Sequence, residues 1–99
     1  MLRMSRGEGI GIQEKYVNAM INNLPILRAA ATLTQATLAE KVAVSRQTIV
    51  AIETRKRPMP WSLYLALVCV FEQYEKSKKI LDSFELFDGD FIKEIIGKV

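Results

Sequence analysis

The chain has 99 residues, one cysteine and no histidine, with a net charge of +3 and a pI near 9.2. This length allows one domain, and an apolar share of 49% is enough for a compact core. A lone Cys69 and the absence of histidine argue against a disulfide framework and a zinc site, and they fit a reducing compartment.

The distribution of charge says more than its sum. Residues 21–60 hold Arg28, Lys41, Arg46, Arg55, Lys56 and Arg57 against only Glu40 and Glu53, whereas residues 61–99 carry more acids than bases. Positive charge therefore gathers in the middle of the chain, as contact with a polyanion requires. No Ser/His or Cys/His pair, glycine-rich phosphate loop or metal cluster supports catalysis, so the expectation is a non-enzyme without a cofactor. The longest apolar run, from Leu63 to Phe71, is too short for a bilayer, and the start lacks a signal-peptide pattern. A cytoplasmic location without membrane contact is expected.

Residues 1–11 contain three glycines and little apolar content, and read as a flexible tail. A basic arm for a minor groove would rest on Arg3 and Arg6 alone. From Ile12 a helical stripe emerges, with Tyr16, Val17, Met20 and Ile21 on the same face. Two readings are open there: an extra helix, or residues upstream of a start at Met20. Asn22 and Asn23 before Pro25 predict a new helix, because proline is tolerated in a first turn. Leu24, Leu27 and Ala31 would be its inner face.

The stretch from Leu33 to Glu53, LTQATLAEKVAVSRQTIVAIE, predicts two short helices joined by a tight turn. Thr34 is a candidate N-cap for a helix over Gln35–Val42, whose Leu38, Ala39 and Val42 face inward. With Thr37 in place of an acid at the third helical position, no capping box is expected. Ser45 can cap a second helix from Arg46 to about Thr54, with Ile49, Ile52 and Val44 in the core. Arg46, Gln47, Val50 and Ala51 then share the opposite face. Such a face suits a major groove, where Arg pairs with guanine and Gln with adenine.

These residues resemble the phage-repressor/Cro-like (XRE-type) helix-turn-helix family. The resemblance runs from about Leu24 to Phe71, through LRAAATLTQ and SLYLALVCVF, and is strongest in VSRQTI and AIE. The alternative for the motif is a plain helical hairpin that touches no nucleic acid. The resemblance implies that Arg28 pairs with Glu53 and braces the first helix of the domain against the reading helix; the alternative is Arg28 as a solvated phosphate contact. It also implies that Arg46, Gln47, Val50 and Ala51 face base edges, with Gln35, Ser45, Thr48, Thr54, Lys56 and Arg57 on the DNA backbone. Thr32, Ala43 and Arg55 stand where the family usually carries glycine, which leaves a helix in the left-handed conformation without strain.

Beyond the motif, Pro58 and Pro60 end the second helix. Leu63 to Phe71 has no polar face and needs cover on every side. Cys69, inside this run, is expected to be buried. Ile80, Leu81, Phe84 and Phe87 keep a helical spacing, and Asp88 is a candidate cap for a last helix carrying Phe91, Ile92, Ile95 and Ile96.

The expected fold is all-α: a five- to six-helix, lambda-repressor-like DNA-binding domain with a C-terminal helical extension. Its divisions are a tail and extra helix over 1–20, the helix-turn-helix domain over 21–73, and a segment over 74–99 suited to dimerisation. The expected function is a sequence-specific transcriptional regulator, with repression the anticipated direction, acting on double-stranded DNA as a homodimer. Dimers of this kind set two reading helices about 34 Å apart, one turn of the duplex. The rival reading is an antitoxin or interaction partner that masks another protein with its C-terminal helices, for which a toxin gene beside its own would speak.

Overall fold

A computed structural model describes residues 6–83, and all regular structure among them is helical. Five helices follow in order: α1 over Arg6–Ala30, α2 over Gln35–Lys41, α3 over Arg46–Glu53, α4 over Trp61–Glu72 and α5 over Glu75–Ser83. Helix α2 packs on α3, while α1 touches α3, α4 and α5, and α5 also covers α4. No helix among the described residues is long and apolar enough to cross a membrane. Phe84, Phe87 and the helix expected after Asp88 lie outside the described residues.

Helix α1 corrects two expectations. The chain does not begin a new helix at Asn22–Asn23 but runs through Pro25 without a break. Proline removes one helical hydrogen bond and crowds the preceding turn, at a cost of about 3 kcal/mol. The cost is tolerated because the apolar stripe crosses Pro25 with helical spacing: Met20, Leu24 and Leu27 are fully buried, and Ile21 and Ala31 nearly so. Residues 6–11, expected as tail, form the start of the same helix. Extending an existing helix needs no new nucleus, so even glycines can be carried along.

Helices α2 and α3 are both capped from the sequence side. Thr34 Oγ1 accepts from the Thr37 amide at 3.0 Å, and Thr37 Oγ1 accepts from the Thr34 amide at 2.8 Å. The capping box is therefore present, contrary to expectation, because a threonine hydroxyl reaches as well as the usual carboxylate. Ser45 Oγ accepts from the Thr48 amide at 3.1 Å in the same way at the start of α3. Val42 and Thr54 are the C-caps, one residue beyond each helix.

Three helices end with a side-chain-bearing residue at positive φ: Thr32 at 56°, Ala43 at 59° and Arg55 at 60°. Each end is closed by the same pair of bonds. Leu33 N donates to Arg28 O at 2.8 Å, Val44 N to Ala39 O at 3.0 Å, and Lys56 N to Ala51 O at 2.8 Å. The companion bonds, which span fewer residues, run from the amides of Thr32, Ala43 and Arg55 to the carbonyls of Ala29, Glu40 and Ile52. These are Schellman motifs, and they satisfy carbonyls that would otherwise be orphaned.

Because alanine meets steric resistance at positive φ, Ala43→Gly should stabilise the protein by about 0.5–1 kcal/mol. A thermal melt should show a rise of about 4–8 °C per kcal/mol for a domain of this size. An unchanged or lower midpoint would mean that the backbone at Ala43 carries no relievable strain.

The core is drawn from every helix. Leu38 of α2 meets Ile49 and Ile52 of α3, and α4 contributes Leu63, Tyr64, Leu67, Val68, Val70 and Phe71. Cover for α4 comes from α1 and α5, with Leu81 of α5 fully buried. Ser77, also fully buried, donates its hydroxyl to Phe71 O at 2.7 Å and so ties α5 to the end of α4. Burial raises the Tyr64 phenol above its ordinary range, with the neighbouring Tyr16 adding to the effect. Cys69 is exposed among the described residues, not buried as expected. It falls on the side of α4 that neither α1 nor α5 covers.

Candidate nucleic-acid interface

Helix α3 is held by its inner face. Ile49 and Ile52 have no exposed surface, which fixes its rotation about its axis. With those two residues inside, Arg46 and Gln47 are exposed, and Val50 and Ala51 half-exposed. The four residues expected on one outward face are brought together there. No carboxylate shares that face, since Glu53 turns inward.

Glu53 is the centre of a network that links three helices. Arg28 Nε of α1 donates to Glu53 Oε2 at 2.7 Å, and its Nη2 donates to Oε1 at 3.2 Å. The pair is bidentate and largely screened from water, with 18% and 8% of the two side chains exposed. Gln35 Nε2 donates to Glu53 Oε1 at 3.1 Å, and Gln35 Oε1 accepts from Arg46 Nη2 at 3.4 Å. The pairing of Arg28 with Glu53 implied by the resemblance is thus present in the structure. The Gln35 carboxamide joins the ion pair to the first residue of α3.

The remaining polar residues divide in a similar way. Ser45 and Thr48 hydroxyls lie 2.9 Å apart at the start of α3, and Arg57 Nη1 donates to Thr48 Oγ1 at 3.0 Å. Thr54 Oγ1 donates to Val50 O at 2.9 Å, so its proton serves the helix end and is not offered outward. Lys56 is exposed beyond the end of α3, and among the described residues no ion pair involves Arg46, Lys56 or Arg57. Cationic groups therefore stand at both ends of the outward face.

Arg55 behaves differently from its two basic neighbours. Its guanidinium donates to the side-chain oxygens of Asn18, at 3.2 Å, and Asn22 on α1. The sequence contains no local signal for this contact, because α1 and the α3–α4 loop meet only in the fold. Trp61 was also without an expected role. Its indole stacks on Tyr64 with ring centres 4.6 Å apart and planes 8° from parallel.

No protein-family model, curated protein or solved structure matches the chain.

Proposed function

We propose that this protein is a sequence-specific DNA-binding transcriptional regulator with a lambda-repressor-like arrangement of α1 to α4. It reads the major groove with α3. The observation that carries the reading is the outward face of α3. It presents the exposed heads of Arg46 and Gln47 beside Val50 and Ala51, with its one carboxylate turned inward to Arg28. Arg46 fits the N7 and O6 acceptors of guanine, Gln47 fits adenine, and Val50 or Ala51 can meet a thymine methyl. Lys56 beyond the end of α3, with Ser45, Thr48 and the Arg57 guanidinium bonded to Thr48, are the backbone contacts in this reading.

Selection of bound sequences from a random duplex pool at fixed salt is the direct test, with an enriched motif expected. On the enriched site, Arg46→Ala should cost about 1–3 kcal/mol and relax preference at one base position. A uniform loss across all sequences would make Arg46 a phosphate contact. Lys56→Ala should show that uniform loss, and should flatten the slope of log affinity against log salt by about one unit.

Two copies on a partly palindromic site are part of the proposal. Light scattering of the full chain on its enriched duplex should give two chains per duplex. A single chain bound to a symmetric site would remove the palindrome from the account.

A further inference from the structure

The middle of α1 and the α3–α4 loop line an open pocket of about 520 Å³, set apart from the outward face of α3. Its volume falls within the range of small-molecule sites. One wall is apolar, built from Val17 and Ile21 of α1 with Met59 and Trp61. The Trp61 ring is fixed in its plane by stacking on Tyr64, so a flat aromatic body meets a preorganised surface there.

The other wall is cationic. Arg55, Lys56 and Arg57 all line it, although the Arg57 guanidinium donates to Thr48 outside the pocket, and Glu14 is the one carboxylate there among the described residues. The Arg55 guanidinium is aimed by the oxygens of Asn18 and Asn22, which are neutral and leave its charge uncancelled. A guanidinium held in this way retains donors for a carboxylate, which it can bind in a fork. Glu14 disfavours a second negative charge on the ligand.

We infer that this pocket binds a small aromatic monocarboxylate, and that its occupancy opposes DNA binding because Lys56 serves both sites. The pocket assignment stands on its own geometry; the opposition rests on the proposed DNA-binding function. A carboxylate that draws Lys56 toward α1 withdraws it from phosphates, and by linkage the duplex weakens the ligand by the same factor.

Trp61 is the one tryptophan of the chain, so its indole N–H gives one resonance that reports on the pocket directly. The full chain is titrated with phenylacetate, phenylacetamide and inorganic phosphate. Phenylacetate should shift the resonance saturably with a dissociation constant of about 1–10 mM, as befits a small fragment. Phenylacetamide should bind at least about fivefold more weakly, since it lacks the charge-assisted bonds. Phosphate should leave the signal unmoved. Glu14→Gln should tighten phenylacetate by about twofold, the small factor expected of an exposed charge.

No shift with phenylacetate, an equal response to phenylacetamide, or a saturable response to phosphate would each overturn the assignment. Saturating phenylacetate should also weaken the enriched duplex by at least about fivefold at constant ionic strength. Unchanged duplex affinity would overturn the opposition and leave the pocket standing. Failure to bind any duplex would overturn the DNA-binding reading, while the Trp61 titration would still decide the pocket.

Discussion

Replacing Glu53 with alanine should destabilise the protein by about 3 kcal/mol, a loss expected when one partner of a largely buried ion pair is removed. The cost comes from what is left behind. Arg28, only 18% exposed, would keep its charge with no carboxylate to meet it. Gln35 would lose the acceptor that fixes its carboxamide, and Arg46 would lose the far anchor of its own contact. The midpoint of thermal unfolding should fall by about 4–8 °C for each kcal/mol. A double replacement, Arg28→Met with Glu53→Met, should recover much of the loss, because apolar residues of similar volume often substitute for a buried pair. Denaturant melts of the single and double variants close the cycle. A single variant within about 1 kcal/mol of the parent would place this pair among ordinary surface salt bridges.

The second large effect is expected in α5. Leu81→Ala should cost about 2–4 kcal/mol, since Leu81 is fully buried where α5 meets α1 and α4. The segment over 74–99 is expected to be a helical extension that covers α4 or serves dimerisation. Its first helix supplies core and, through Ser77, a buried hydrogen bond to the end of α4. Denaturant unfolding distinguishes the two roles. A core residue lowers stability at every protein concentration, whereas a pure dimer contact lowers it only where the dimer is populated. A Leu81→Ala variant that unfolds like the parent at low concentration would return α5 to the role of an appendage. For the same reason, truncation before Glu75 is a poor probe of assembly, because it removes part of the core.

The motif was legible because its signals are local. Thr34 and Ser45 are caps, Leu38, Ile49 and Ile52 are inward, and the left-handed ends fall at Thr32, Ala43 and Arg55 where glycines were missed. Each depends on residues within one or two turns. The errors arise where a local preference met a longer-range one. Pro25 signals a helix start by itself, yet the stripe from Met20 to Ala31 runs straight through it. Cys69 was expected inside because its neighbours are apolar, but a helix with no polar face can still leave a residue exposed among the described residues. The bond of Gln35 to Glu53 left no local signal either, because it depends on a residue eighteen positions away. The pocket beside Trp61 was not legible at all, since its two walls lie far apart along the chain.

The strained helix ends have a consequence for how this protein can change. Thr32 and Ala43 each hold a conformation that glycine would adopt without resistance, and they lie in different turns with no shared partner. Their replacement by glycine should therefore be nearly additive, leaving a reserve of about 1–2 kcal/mol untapped. Most substitutions on a recognition surface lower stability somewhat, and a marginal domain tolerates few of them together. A lineage that first acquired these two glycines could accept more trial changes at Gln47, Val50 and Ala51 before unfolding. If α3 reads DNA as proposed, new sequence preferences would then be reached through turns outside its outward face.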